Sequence, residues 1–379
     1  MSSSGRIRSL TVTPFAIPLG SPVRWATREV ASREYVIVQV HSDSGATGVG
    51  YAYAGRDAAR TLAAFIEDVI APRMIHLPDD APSRAWGDLY QETLLIGRRG
   101  WVLRAISAVD IAMWDLLGQL TGKPLSTLLG GTTDRVAAYA SGGYYREGDP
   151  LENIDREIGR YLELGFTDVK IKVGGLSLDV DVKRVERVRE LIGPLGRVAL
   201  DANNAWKSPH DAIRFARRVE HCDPWWLEEP LAPDDIPGHA VIAAALDMPV
   251  ATGEIHSTRW DFRHLIEAHA ADILQPDVAV IGGVSEWIRV AHTASTFGLR
   301  VAPHWHQDIH VHLAAAVDNC LAVEWFDQVQ DIVNIDRFLT TPLRAENGVL
   351  TVPDRSGIGL EIDWSAIERY RIDREGASR

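Results

Sequence analysis

Cysteine is nearly absent: Cys222 and Cys320 are the only two in 379 residues. Without paired spacing they support neither a disulfide framework nor a thiolate zinc site. Basic charge is in deficit, with 39 Lys and Arg against 52 Asp and Glu, a net charge of −13. So acidic a chain excludes nucleic acid or an anionic membrane as the main partner, because both need a basic face. An anionic substrate stays admissible, since a bound metal reverses the sign locally. No apolar run approaches the roughly 18 residues that a membrane-spanning helix needs. No apolar signal core follows Met1-Ser2-Ser3-Ser4-Gly5-Arg6. The expected location is therefore the cytoplasm. No GxGxxG follows the first strand, which weakens a dinucleotide-binding reading. What remains is ordinary globular composition, 46% hydrophobic and 24% charged. The length suits two domains, or one large barrel with an appendage.

The first 130 residues read as α+β. Val12–Ile17, Tyr35–Val40 and Thr47–Tyr53 have strand character, with a turn at Asp43-Ser44-Gly45. Ile106, Val109, Met113, Leu116 and Leu120 then form one apolar stripe on a helix, which Gly122 and Pro124 stop. From about Arg135 the pattern becomes strand, loop, amphipathic helix, repeated. The candidate strands are Val136–Ala140, Asp168–Val173, Arg197–Leu200, Trp225–Leu227, Pro249–Thr252, Ile273–Gln275, Leu299–Ala302 and Leu321–Val323. Eight strands with helices between them is βα-barrel arithmetic. Past Val333 the alternation stops, and that segment is expected to pack back on the first domain.

Each strand from the second onward ends in a polar residue of catalytic type: Lys172, Asp201, Glu228, Glu254, Asp277, His304 and Glu324, spaced 20 to 29 residues apart. A barrel gathers such positions on its C-terminal rim. Any one of Asp201, Glu228 and Glu254 fits an ordinary salt bridge, but three carboxylates on successive strand ends repel unless a cation lies between them. Oxygen-only ligands suit a hard ion, Mg²⁺ first and Mn²⁺ second. Glu229 follows Glu228, and neighbours on a strand face opposite ways, so Glu228 is the expected ligand and Glu229 a supporting residue. Lys170 and Lys172, two apart, face the same side. Two ammonium groups so placed are expected to depress each other's pKa, which would make a general base. Asp277 and His304 end adjacent strands, where the carboxylate could orient the imidazole as a second base. Glu324, if protonated, could donate a hydrogen bond to a developing negative oxygen.

At these residues the sequence resembles the enolase superfamily, and within it the mandelate racemase subgroup. The resemblance rests on Lys170-Ile171-Lys172, Asp201-Ala202-Asn203, Glu228-Glu229-Pro230, Gly253-Glu254, Gln275-Pro276-Asp277, Ile281-Gly282-Gly283-Val284 and Pro303-His304, and it covers essentially the whole chain. It implies a modified TIM barrel, (β/α)₇β, over residues 131–332. An α+β capping domain at 1–130 would carry a lid loop at about 19–31, and the segment 333–379 would return to the cap. It further implies that Lys172 is the base on one face of the substrate α-carbon and the His304–Asp277 dyad the base on the other. Asp201, Glu228 and Glu254 would hold Mg²⁺, with Lys170 and Glu324 adding stabilisation. The implied reaction removes the proton beside a carboxylate to give an ene-diolate. Loss of the 3-hydroxyl then yields a 2-keto-3-deoxy acid, whereas return of a proton to the other face makes a racemase or epimerase of a 2-hydroxy acid. The family usually forms closed homo-oligomers.

Dehydration of an acid sugar, an aldonate or aldarate, is the favoured outcome. Asn203, Tyr144 and His306 supply polar groups that a polyhydroxylated carboxylate would want, where a phenyl ring would want an apolar pocket. In the lid stretch, Trp25 is a candidate contact, and Arg24 or Arg28 could meet a distal carboxylate. The cluster His304, His306, His310 and His312 invites a zinc reading, but it falls after the seventh strand, whereas metal-dependent amidohydrolase barrels carry their HxH on the first. The 306–310 spacing is read as a surface feature without chemical importance.

Overall fold

The computed structural model describes residues 5–372. Strands β1 (Ile7–Trp25), β2 (Arg28–Ser42) and β3 (Thr47–Tyr53) form an antiparallel meander. Residues Arg33 to Val38 of β2 are all buried, because the sheet is covered on both faces. Tyr35 and Ile37 join Phe15 and Ile17 on the barrel side. Val36, Val38 and Val40 face the opposite way, into the cluster that holds the cap helices.

Chief among those helices is α1 (Trp101–Thr121). Its stripe Ile106, Val109, Met113 and Leu116 is buried, while Leu120 at the end is 36% exposed. Gly122 stops it in the left-handed conformation, φ +67°. Strand β3 presents Gly48 and Gly50 to α1, so the two backbones touch. A Cβ on Gly50 would sit 2.4 Å from the Ala108 carbonyl oxygen and 2.5 Å from the Ala112 nitrogen. Backbone cannot rotate out of the way. Gly50→Ala is therefore expected to cost about 1–3 kcal/mol of stability, read by denaturant unfolding. An unshifted midpoint would mean that β3 is not pressed against α1.

Eight parallel strands follow: β4 (Arg135–Gly142), β5 (Val169–Lys172), β6 (Val198–Asp201), β7 (Leu227–Glu228), β8 (Val250–Thr252), β9 (Ile273–Leu274), β10 (Arg300–Val301) and β11 (Val323–Trp325). Neighbours pair in sequence order, and β11 pairs β4 in parallel. A bridge between Val301 and Cys320 joins β10 to the run that leads into β11. Seven helices fill the intervals: α2 (Pro150–Glu163), α3 (Leu178–Ile192), α4 (Pro209–Val219), α5 (Ile236–Ala245), α6 (Thr258–Glu267), α7 (Val284–Thr296) and α8 (Gln307–Ala315). This is a (β/α)₇β barrel beneath an α+β cap. No helix among the described residues is long and apolar enough to cross a membrane.

Two regions refine the reading of the sequence. The stretch 19–31 is not a loop. It is the far end of the β1–β2 hairpin, with Val23, Arg24 and Trp25 paired to Val30, Glu29 and Arg28. A register shift between Pro18 and Val23 interrupts the ladder where proline leaves it short of donors. The segment beyond Val333 divides its contacts. Phe338 packs among Phe15, Tyr35 and Tyr51 of the cap at centroid distances of 5.2 to 5.5 Å. Val349–Thr351 instead pairs antiparallel with β4 of the barrel.

Candidate active site

Strand register assembles the centre of the site. Lys172 is paired with Asp201 across β5–β6, and Asp201 with Glu228 across β6–β7. The three residues therefore share one row at the C-terminal rim. Lys170 lies two residues back on the same face. Its Nζ contacts Glu228 Oε1 at 2.6 Å and Glu324 Oε1 at 2.7 Å. The Lys172 ammonium bonds Asp201 Oδ2.

Carboxylate oxygens of Asp201, Glu228 and Glu254 all lie within 4.8 Å of one another. Asp201 Oδ1 accepts from the Asn203 backbone N–H at 2.9 Å. Glu228 Oε2 accepts from Gln275 Nε2 at 2.7 Å and Trp226 Nε1 at 2.9 Å. Glu254 Oε2 is buried and accepts no hydrogen bond. Three converging carboxylates with a free buried oxygen among them fit a hard divalent cation. Electrostatics agree. Burial, then the Asp201 charge, pushes Glu228 up to about 8. Burial opposes ionisation of Asp201 too, but the Lys172 and Lys170 ammonium groups outweigh it and hold that carboxyl at about 2.

The second flank is the dyad. His304 Nδ1 lies 2.8 Å from Asp277 Oδ2, and Nε2 lies 3.5 Å from Glu254 Oε2. Burial disfavours the imidazolium, yet the Glu254 charge and the Asp277 hydrogen bond raise His304 to about 9. Above these groups lies a cavity of about 470 Å³. Lys172, Glu254, Asp277 and His304 line it from below, while Trp25, Arg28, Arg33 and Tyr53 line it from the cap.

The family model described as "Mandelate racemase / muconate lactonizing enzyme, N-terminal domain" matches residues 7–130, and "Enolase C-terminal domain-like" matches 153–366. The chain belongs to the mandelate racemase/muconate lactonizing enzyme family. It is 33% identical over 345 residues to arabinonate dehydratase of Saccharolobus solfataricus, covering 89% of this chain and 91% of the relative. Its fold is similar to that of a racemase from Streptomyces coelicolor A3(2) solved with bound magnesium (TM-score 0.91, 29% identity, 97% of this chain and 100% of the other). It also resembles L-talarate/galactarate dehydratase from Salmonella typhimurium LT2 liganded with Mg and L-lyxarohydroxamate (TM-score 0.90, 30% identity, 98% and 94%).

In this mandelate racemase-family chain, Asn203, Tyr144 and Trp25 also reach the cavity. Tyr144 places its ring 4.8 Å from Lys172 Nζ. The Thr27 hydroxyl at the hairpin tip donates to the Asn203 carbonyl at 3.1 Å, tying the tip to the rim. Other expectations need correction. Arg24 bridges to Tyr145 and lines a separate cavity of about 160 Å³. His306 is 2% exposed and sits behind Asp277, its Nε2 3.6 Å from Oδ1, outside the cavity lining. His310 and His312 are buried as well and bond backbone groups, so the histidine run is core rather than surface.

Lys170 does depress Lys172, as expected, but nearby carboxylates outweigh it. Burial works against the charge of both lysines, but Glu228 beside Lys170 and Asp201 beside Lys172 raise both above the ordinary range. Glu324 is not a protonated donor: burial is overcome by Lys170, which holds it at about 2, and it accepts from the Trp305 amide at 2.8 Å. Glu229 leaves the strand with φ +42°, so the alternation that should turn it away fails. It lines the cavity with both carboxylate oxygens unpartnered. Arg33 and Arg104 escaped the sequence reading. Arg104 lies within an apolar run and Arg33 between Ser32 and Glu34, and nothing local marks either as facing a barrel far along the chain.

Proposed function

We propose that the chain dehydrates an acid sugar to a 2-keto-3-deoxy acid with Mg²⁺ as cofactor. One observation carries this reading: a carboxylate trio lies beneath a polar cavity flanked by Lys172 on one side and the His304–Asp277 dyad on the other. Asp201, Glu228 and Glu254 would hold the ion. When bound, it draws charge from the substrate carboxylate and so acidifies the adjacent C–H bond.

The chain's own residues do the rest. Asp201 and Glu254 hold the protons on Lys172 and His304, so the neutral bases are favoured once those carboxylates are drawn to a cation. Lys172, or His304 through Nε2, then removes the α-proton from the face it lines. The electron pair left on that carbon forms the C2–C3 double bond as the 3-hydroxyl leaves. Protonated His304 gives that oxygen its proton, so water departs. The enol then becomes the keto acid by taking a proton at C3 and losing the one on its C2 oxygen. Asp277 keeps His304 oriented with Nε2 towards the substrate. Lys170 stabilises negative charge beside Glu228 and Glu324. Asn203, Tyr144 and Glu229, which line the cavity, offer partners to the substrate hydroxyls, and the hairpin tip excludes water.

A base on each flank also suits epimerisation of a 2-hydroxy acid, which is the second reading. Incubating aldonates and aldarates with Mg²⁺ and assaying 2-keto acid decides between them. We expect keto acid from at least one sugar, and its loss on chelation. Deuterium uptake at the α-carbon of a hydroxy acid, with no keto acid from any sugar, would instead establish the epimerase. Two further parts of the reading have structural support. Exposed Leu95, Ile96 and Trp101, which surround Arg99 in the chain, favour a homo-oligomer. The free thiols Cys222 and Cys320 favour the reducing cytoplasm.

A further inference from the structure

Among the described residues, the buried or half-buried cations that reach the barrel mouth differ in what they face. Lys170, Lys172 and Arg184 each face a carboxylate. Arg33, 4% exposed, and half-buried Arg104 make no ion pair among the described residues. Arg33 spends Nε on the Ile332 carbonyl at 2.9 Å, and Arg104 spends Nη1 on the Tyr53 carbonyl at 2.8 Å. Among the described residues their remaining N–H groups meet no acceptor. A charge taken out of water without a counter-ion is costly, and proteins normally pair it.

The two guanidinium groups converge on one place. Arg33 lies 5.6 Å from the Tyr53 ring centroid and 5.0 Å from that of Trp305, while Arg104 bonds the Tyr53 backbone. The Tyr53 and Trp305 rings pack edge to face at 4.6 Å. Trp305 Nε1 is a third buried donor without a partner. All four residues line the large cavity. Free acceptors lie elsewhere on its wall, at Asn203 Oδ1 and Glu229. The cavity thus has a donor niche built by the cap, in which Arg104 feels the charges of Asp277 and Glu254 without pairing with either.

We infer that Arg33, Arg104 and Trp305 Nε1 receive a second carboxylate, so that the preferred substrate is an acid sugar with a carboxylate at each end, an aldarate. The inference rests on the dehydratase reading and deepens it. A planar fork of N–H donors suits a carboxylate in two-point contact. An aldonate, ending in a neutral hydroxymethyl group, would leave both cations unpaired.

The test compares aldarates with aldonates of the same configuration, galactarate with galactonate and glucarate with gluconate, in Mg²⁺. The expected preference in kcat/KM is at least about 100-fold for the diacid. Arg104→Met is expected to shrink it below about tenfold, chiefly through KM. If that variant fails to fold, Arg104→Lys, which keeps the charge and loses the fork, is read the same way. A readout without turnover runs alongside: glutarate should raise the wild-type melting temperature more than valerate does, and Arg104→Met should erase the difference. Equal use of aldonates, an unchanged preference in the variant, or better protection by 6-phosphogluconate than by any dicarboxylate would overturn the inference. Keto acid from no sugar would sink the dehydratase reading alone, and the glutarate comparison would still decide the niche.

Discussion

Lys172→Met and His304→Asn should each lower turnover of the best acid sugar by about 10²–10⁴-fold, the usual contribution of a positioned acid or base. The two variants should differ in which α-proton they still exchange. Lys172 and His304 approach the cavity from different strands, β5 and the end of β10, with the carboxylate trio between them. A substrate whose α-hydrogen points at Lys172 should lose exchange in Lys172→Met and keep it in His304→Asn. Its C2 epimer should behave the other way round. Proton NMR in D₂O with both epimers reads this directly. Identical exchange losses on both faces, or two fully active variants, would refute the assignment of bases. Lys172 also bonds Asp201, so magnesium affinity must be measured by calorimetry in the same samples. Weakening beyond about tenfold would trace the defect to the metal site instead of a lost base.

The bases were legible in the sequence because a parallel barrel converts spacing along the chain into convergence in space. One βα unit separates each pair of strand ends, and the register of β5, β6 and β7 puts Lys172, Asp201 and Glu228 in one row. All eight barrel strands were legible for a related reason: buried on both faces, they read as short apolar runs. Features that depend on a single backbone torsion or on contacts between distant segments were not. Glu229 looked as though it must face away, until φ +42° turned it towards the cavity. The hairpin tip read as a loop because its polar residues, Arg24, Arg28 and Glu29, hide a ladder that only Val23 and Val30 bury. Protonation states were beyond reach for the same reason. The expected depression of the lysines assumed each met only the other, whereas in space the nearer charges are Asp201, Glu228 and Glu324. Arg33 and Arg104 are the extreme case, since their meaning lies in the absence of a carboxylate that only the assembled fold can reveal.

Glu254→Gln is expected to abolish turnover, a loss above about 10³-fold, while making the metal-free protein more stable. Both effects come from the same carboxylate. Glu254 is half-buried, its buried Oε2 has no hydrogen-bond donor, and desolvation followed by the Asp201 charge raises its pKa against the opposing pull of His304. Without a cation its ionised form is therefore a cost to the fold, and a neutral amide of the same shape removes that cost. With magnesium the sign reverses. An ion bound only by the native state at 100 times its Kd stabilises by about 2.7 kcal/mol, and a site reduced to Asp201 and Glu228 should forfeit most of that gain. Thermal unfolding with EDTA and with excess magnesium gives four midpoints. Wild type should rise clearly on adding magnesium. Glu254→Gln should begin higher and scarcely move. A variant that gained as much from magnesium as wild type would remove Glu254 from the ligand set. A variant that melted lower in EDTA would show that the His304 contact, 3.5 Å away, outweighs the repulsion among the acids.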